Sequence, residues 1–173
     1  MTRLEAQRTA LVVIDLMERI VELPLVPRSG EEVVLASLGL AAAFREAGAP
    51  VVLVRVERPG VDEQPPGSEL VEGLEREGDL VIVKRTVGAF HGTGLDGELR
   101  ARGVDTLVVA GIATNMGVES TARAAADHGY ELHFAEDAMT ALSGAEHEAA
   151  ITLALPRFGT VAPAAELVKA LWS

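Results

Sequence analysis

Three places along this chain join residue types that do chemistry to a spacing that presents them. Asp15 closes the apolar run Ala10-Leu-Val-Val-Ile. Lys84 closes Leu80-Val-Ile-Val. The turn Gly111-Ile-Ala-Thr-Asn-Met-Gly117 follows Leu107-Val-Val-Ala. A charge after four apolar residues is costly to bury unless it is paired or used. A strand that simply exits into solvent would explain each charge singly. Two opposite charges at neighbouring strand ends instead suggest that they face each other. A turn that opens a helix presents backbone N–H groups to an anion or oxyanion.

Elements that would position these residues are legible on both sides of them. Apolar runs predict strands over 9–15, 50–56, 79–84, 106–111, 130–135 and 160–162. Helical spacing predicts helices over 29–47, ending at Gly48, then 95–102 and 115–128, the last closed by Gly129. Ser143 and Glu146 have capping-box spacing and open a helix to about Leu155, and Pro163 is placed to start the last helix. Residues 57–78 are rich in Pro, Gly and Glu and read as a loop, with one helical turn near 70–76. Strands alternating with helices predict an α/β fold: an open, mostly parallel six-stranded sheet with helices on both faces, a Rossmann-like three-layer arrangement. No repeat or linker divides the chain, so 1–173 reads as one domain. Ligands of such sheets bind beyond the carboxyl ends of the strands, where all three features lie.

Bulk properties narrow the partners. Nearly half of the 173 residues are apolar (49%) and only 3% aromatic, as in a Val/Leu/Ile/Ala core around a parallel sheet. A net charge of −11 argues against nucleic acid or an anionic membrane surface. No apolar run is long enough to span a bilayer, and the first residues carry no signal-peptide core, so a cytoplasmic protein is expected. The chain has no cysteine, which removes disulfides, thiolate zinc sites and cysteine catalysis together.

The ordered motifs resemble the isochorismatase-like (cysteine hydrolase) family. They are Ala10-Leu-Val-Val-Ile-Asp15, Val83-Lys84-Arg85 and Gly111-Ile-Ala-Thr-Asn-Met-Gly-Val118, with Ala89-Phe90, Gly92-Thr93, Thr121-Ala-Arg-Ala-Ala, His128-Gly-Tyr, Ala135-Glu-Asp-Ala138 and Glu146-His147 between and after them. The resemblance runs from about residue 9 to residue 155. It implies the isochorismatase fold, a hydrolase working on a small molecule, a homo-oligomer, and a cis peptide between Ile112 and Ala113. It also implies an Asp–Lys–Cys triad in which Gly117 stands at the cysteine position. Gly117 has no nucleophile, so the covalent route closes there. Ser120 and Thr114 are the neighbouring hydroxyls, and neither has an evident histidine base. True isochorismatases also resemble this chain in carrying glycine at that position. On their precedent Asp15 is the general acid, Lys84 the electrostatic stabiliser and holder of an anionic group, and the turn a carboxylate or oxyanion site. Ile112, Ala113, Thr114, Phe90 and His91 would line the pocket, Thr114 also capping the helix. Arg85 reads as an anion contact or an exposed salt bridge. The resemblance places a metal only in its nicotinamidase branch, on an Asp/His cluster after the second strand; here that region reads Arg55-Val-Glu-Arg-Pro59 and no histidine occurs before His91, so no metal or other cofactor is expected. The alternative is an inactive member that binds a small anionic metabolite or serves as an assembly partner.

Overall fold

The computed structural model describes residues 3–172. Its sheet has six strands in the order β3-β2-β1-β4-β5-β6, all pairing in parallel. In chain order they are β1 (Thr9–Ile14), β2 (Val51–Val56), β3 (Leu80–Lys84), β4 (Thr106–Ile112), β5 (Glu131–Thr140) and β6 (Thr160–Ala162). The helices are α1 (Glu18–Val21), α2 (Gly30–Glu46), α3 (Leu95–Ala101), α4 (Glu119–Asp127), α5 (Gly144–Ala149) and α6 (Ala164–Trp172).

Alternation along β1 shows why the layers form. Leu11 and Val13 enter one apolar cluster with Leu40 and Phe44 of α2 and Leu167 of α6. Ala10, Val12 and Ile14 enter the opposite cluster with Leu99 of α3 and Ala122 of α4. All six residues of β1 are buried, as a strand covered on both faces requires. Ser29 caps α2 through a reciprocal box: its Oγ accepts from Glu32 N at 3.2 Å, and Glu32 Oε2 accepts from Ser29 N at 2.7 Å.

Several elements depart from the sequence-based expectation. Strand β5 runs to Thr140 rather than ending at Ala135. The charged pair Glu136-Asp137 breaks the apolar run, yet Asp137 Oδ1 is used to accept Ala164 N at the start of α6 (2.7 Å). The helix after β4 opens as a π-helical turn over Thr114–Val118 before α4 begins. Residues 70–76 contain no helix. Leu70 forms a bridge to Met17, and a turn follows in which Leu74 N donates to Val71 O (3.2 Å). Short α1 went unpredicted because 18–21 is too brief for a period to show. No described helix is long and apolar enough to cross a membrane.

Candidate active site

The strand order reverses between β1 and β4, and the chemistry-bearing residues gather at the carboxyl ends beside that switch point. Asp15 follows β1 with φ at 53°, a left-handed conformation that asparagine and aspartate tolerate better than bulkier residues. Lys84 ends β3. Strands β1 and β3 are not neighbours, as the two charges had suggested, because β2 lies between them. Two strand spacings are about 10 Å. The long lysine side chain and the aspartate side chain together span that gap, bringing Nζ to 2.8 Å from Asp15 Oδ2. Both side chains are buried, Lys84 at 3% and Asp15 at 8% exposure.

Lys84 Nζ also donates to Val87 O (2.9 Å) and Thr86 O (3.2 Å). With Asp15 these acceptors engage all three N–H bonds of the ammonium. In this geometry the lysine has no donor left for a ligand's anionic group. Asp15 Oδ1, by contrast, has no hydrogen-bond partner. Burial raises the Asp15 pKa, and the charge and hydrogen bond of Lys84 oppose that rise without cancelling it.

The turn after β4 closes the third side. The Ile112–Ala113 peptide is cis. Gly111 is irreplaceable there for steric reasons: φ is 115°, and a Cβ would meet Ile14 O at 2.1 Å. A Cβ at Gly117 would lie 3.4 Å from Asp15 Oδ2 and 2.9 Å from Ile14 Cγ2. Position 117 therefore points a side chain at Asp15, although glycine supplies none. Thr121 Oγ1 donates to Gly117 O (2.6 Å) and accepts from Ala89 N (3.0 Å), joining the turn to the loop that holds Lys84.

Thr114 does not cap the helix. Its hydroxyl donates to Thr140 O (3.0 Å) and pairs with His147 Nδ1 (2.8 Å). The single hydroxyl proton is spent on Thr140 O, so Nδ1 carries the proton of the second bond. Burial, then Arg28, hold the His147 pKa below its ordinary value.

A cavity of about 400 Å³ opens above Asp15, Lys84, Ile112, Ala113 and Gly117. Thr114, Phe90 and His91 do not line it. Phe90 is buried and stacks on His128, with ring centroids 5.1 Å apart, while His91 is exposed. Arg85 lines the mouth and pairs with Glu57 (3.0 Å), which also holds Arg55 (3.0 Å). Most of the wall that sequence reasoning did not name is apolar, with Ile20, Leu23, Leu25, Met116 and Leu142 in it, and Glu57 and Thr86 are its polar members. A bridge between Val26 and Ala141 fastens the 22–29 loop to the end of β5 and sets this wall. Only the apolar character of that loop signalled it. Among the described residues, no group of three His, Cys, Asp or Glu side chains is gathered to hold a metal ion.

The isochorismatase domain matches residues 9–166. The chain is 42% identical over 188 aligned positions to the uncharacterized isochorismatase family protein YecD of Escherichia coli O157:H7, covering 99% of this chain and 100% of that protein. The structure of an isochorismatase family protein from Burkholderia thailandensis superposes with a TM-score of 0.87 at 37% identity, with 100% of both chains covered. A shorter match, 56% over 55 residues, covers 31% of this chain and 21% of the ureidoacrylate amidohydrolase RutB of Methylobacterium radiotolerans. The chain belongs to the isochorismatase family, which contains hydrolases.

Proposed function

We propose that the chain is a cysteine-independent hydrolase of a small molecule, in which Asp15 moves the proton and Lys84 steadies the charge that remains. The observation that carries this reading is the Asp15–Lys84 pair, buried and 2.8 Å apart at the cavity floor, with the Asp15 pKa raised by burial. A carboxyl held above its ordinary range stays protonated at higher pH and so serves as an acid. It gives its proton to the leaving heteroatom. Water adds at the carbon, and the carboxylate takes a proton back from that water. Between the two transfers the negative charge on Asp15 faces Lys84. Gly117 offers no nucleophile, so no covalent intermediate forms there. Ala113, Met116 and Gly117 of the turn border the space where an oxyanion would develop.

Purified protein should be assayed on isochorismate and a panel of amides and ureides, beside Asp15→Asn and Lys84→Ala. The local match to ureidoacrylate amidohydrolases puts ureides early in that panel. Loss of a general acid is expected to cost about 10²–10⁴-fold in turnover. The glycine at 117 favours a second reading, a binding protein without turnover. Wild type no faster than Asp15→Asn on every compound, while still binding one, would establish it. The partner in either case is a small molecule, since a net charge of −11 opposes nucleic acid and anionic membranes. A homo-oligomer is proposed as the working form, to be read by sedimentation velocity.

A further inference from the structure

The helical stretch after β5 shows an apolar face to water. Helix α5 runs on through a π-helical turn (Ala150–Ala154) and a 3₁₀ turn (Leu155–Arg157). Ala149, Ala150, Leu153 and Ala154 recur at helical spacing and line one side of a groove of about 440 Å³. Asn115, with Glu119 and Arg123 of α4, forms the other side. Leu153 stands out from the alanines at 65% exposure, the highest value for a large apolar side chain among the described residues. Bulk therefore sits directly beside space on one face. The charges around the groove are also matched. Glu119 pairs with Arg123 at 2.8 Å. Glu146 and Arg157 lie at opposite ends of the helical side, and neither joins an ion pair among the described residues. A chain of net charge −11 repels its own copies, whereas the lining of this groove carries as many arginines as glutamates.

We propose that this groove is the contact face for a second copy of the chain, packed antiparallel across a two-fold axis beside Ile151 and Thr152, with Leu153 of each protomer entering the alanine floor of its partner. A symmetric dimer uses one patch twice, so the patch must be complementary to itself. An axis at that level sets position 153 opposite 150, 154 opposite 149 and 157 opposite 146. Each leucine then meets an alanine, and each unpaired arginine meets an unpaired glutamate. The alanines let the two helices approach closely. The contact takes Leu153 out of water, which is the gain that drives it. The charge pairs at the two ends fix the register and the antiparallel sense. Asn115 borders this groove and Met116 borders the Asp15 cavity, so the two surfaces adjoin on one turn without sharing these residues. The inference rests on the homo-oligomer proposed above and gives it an interface. It is independent of the hydrolase reading.

Sedimentation velocity between about 1 µM and about 1 mM reads the association. One helix pair buries less than a standard interface of about 1,600 Å², so wild type is expected to pass from monomer to dimer inside that range. Leu153→Glu should remain monomeric while keeping the wild-type circular dichroism melt, because the side chain is exposed in the single chain. Charge reversal reads the register. Glu146→Arg alone sets arginine against arginine, and Arg157→Glu alone sets glutamate against glutamate. Each should weaken self-association about tenfold or more. Mixed one to one, the two variants should recover wild-type dimerisation, since every contact between unlike protomers is again opposite in charge. Should Leu153→Glu fail to fold, the reversal pair decides alone. A wild type that stays monomeric throughout would overturn this face and the homo-oligomer together. An assembly unchanged by Leu153→Glu or by the single reversals would overturn this face and leave the homo-oligomer standing. So would reversals that weaken association and show no recovery on mixing.

Discussion

At the scale of single residues, the ion pair at the floor and the glycine at 117 make opposite kinds of prediction. Removing Lys84 takes away the charge that lowers the Asp15 pKa, so the pKa should rise further. The folded state then holds its proton at pH values where the unfolded chain has released it. Stability of Lys84→Met should therefore fall as pH rises from the ordinary carboxyl range, and level off above the raised Asp15 value. The full penalty for leaving one buried charge unpaired is about 3–5 kcal/mol. Urea melts of wild type and variant at stepped pH check both sign and size, and a difference independent of pH would contradict it. Gly117→Cys tests the other residue. A Cβ there stands 3.4 Å from Asp15 Oδ2, so the thiol gains a base, but it also presses on Ile14 Cγ2 at 2.9 Å. The variant should lose about 1–3 kcal/mol through overpacking. Iodoacetamide should alkylate it once by mass spectrometry, and more slowly in an Asp15→Asn background. Asp15 and Lys84 stood out in the sequence because they complete the family's ordered motifs; a charge closing an apolar run is by itself as well explained by a strand leaving for solvent. The saturation of Lys84 was not, since two of its three partners are main-chain carbonyls that leave no side-chain signature.

At the scale of elements, the turn after β4 is held by a bond that crosses three segments. His147 of α5 donates to Thr114 of the turn, and Thr114 donates to Thr140 O of β5. Thr114→Val deletes both bonds and strands a buried imidazole N–H, which should cost about 1–3 kcal/mol. The same link carries a pH dependence. The folded-state pKa of His147 lies below its unfolded value, so the unfolded chain takes up the proton first as pH falls. Stability is complete above about pH 6.5 and is lost as pH drops through the folded value. Denaturant melts should show that slope in wild type and a shallower one in His147→Asn. Uninterrupted runs such as Leu-Val-Val-Ile made the strands readable, and β1 to β4 fall where periodicity put them. The end of β5 stayed hidden because Glu136 and Asp137 look like a strand exit, while the structure spends Asp137 on α6. Thr114 looked like a cap because it opens a helix. Its actual partners are 26 and 33 residues away in the chain, beyond the reach of local pattern.

At the scale of the whole molecule, charge and topology act on different terms of stability. Parallel order β3-β2-β1-β4-β5-β6 sets the Asp15–Lys84 pair at the cavity floor, 8% and 3% exposed, where salt screens it much less than a surface pair. The surface carries the excess, with 26 acidic against 15 basic residues. Exposed ion pairs such as Arg102–Glu98 and Arg123–Glu119 offset little of it, each worth about 0–1 kcal/mol. Salt screens those attractions and the general repulsion alike, but at a net charge of −11 repulsion is the larger sum. Raising sodium chloride from about 10 mM to about 300 mM shortens the screening length from roughly 30 Å to well under 10 Å. The Tm should therefore rise with salt. It should rise by nearly the same amount in Lys84→Met, because salt screens the pair that variant breaks much less than a surface pair. A differential scanning calorimetry series on both proteins decides the matter. A Tm that falls with salt would mean that local ion pairs outweigh net repulsion. A smaller rise in the variant would mean that water and ions already reach the cavity floor, which would remove the low-dielectric setting that lifts the Asp15 pKa.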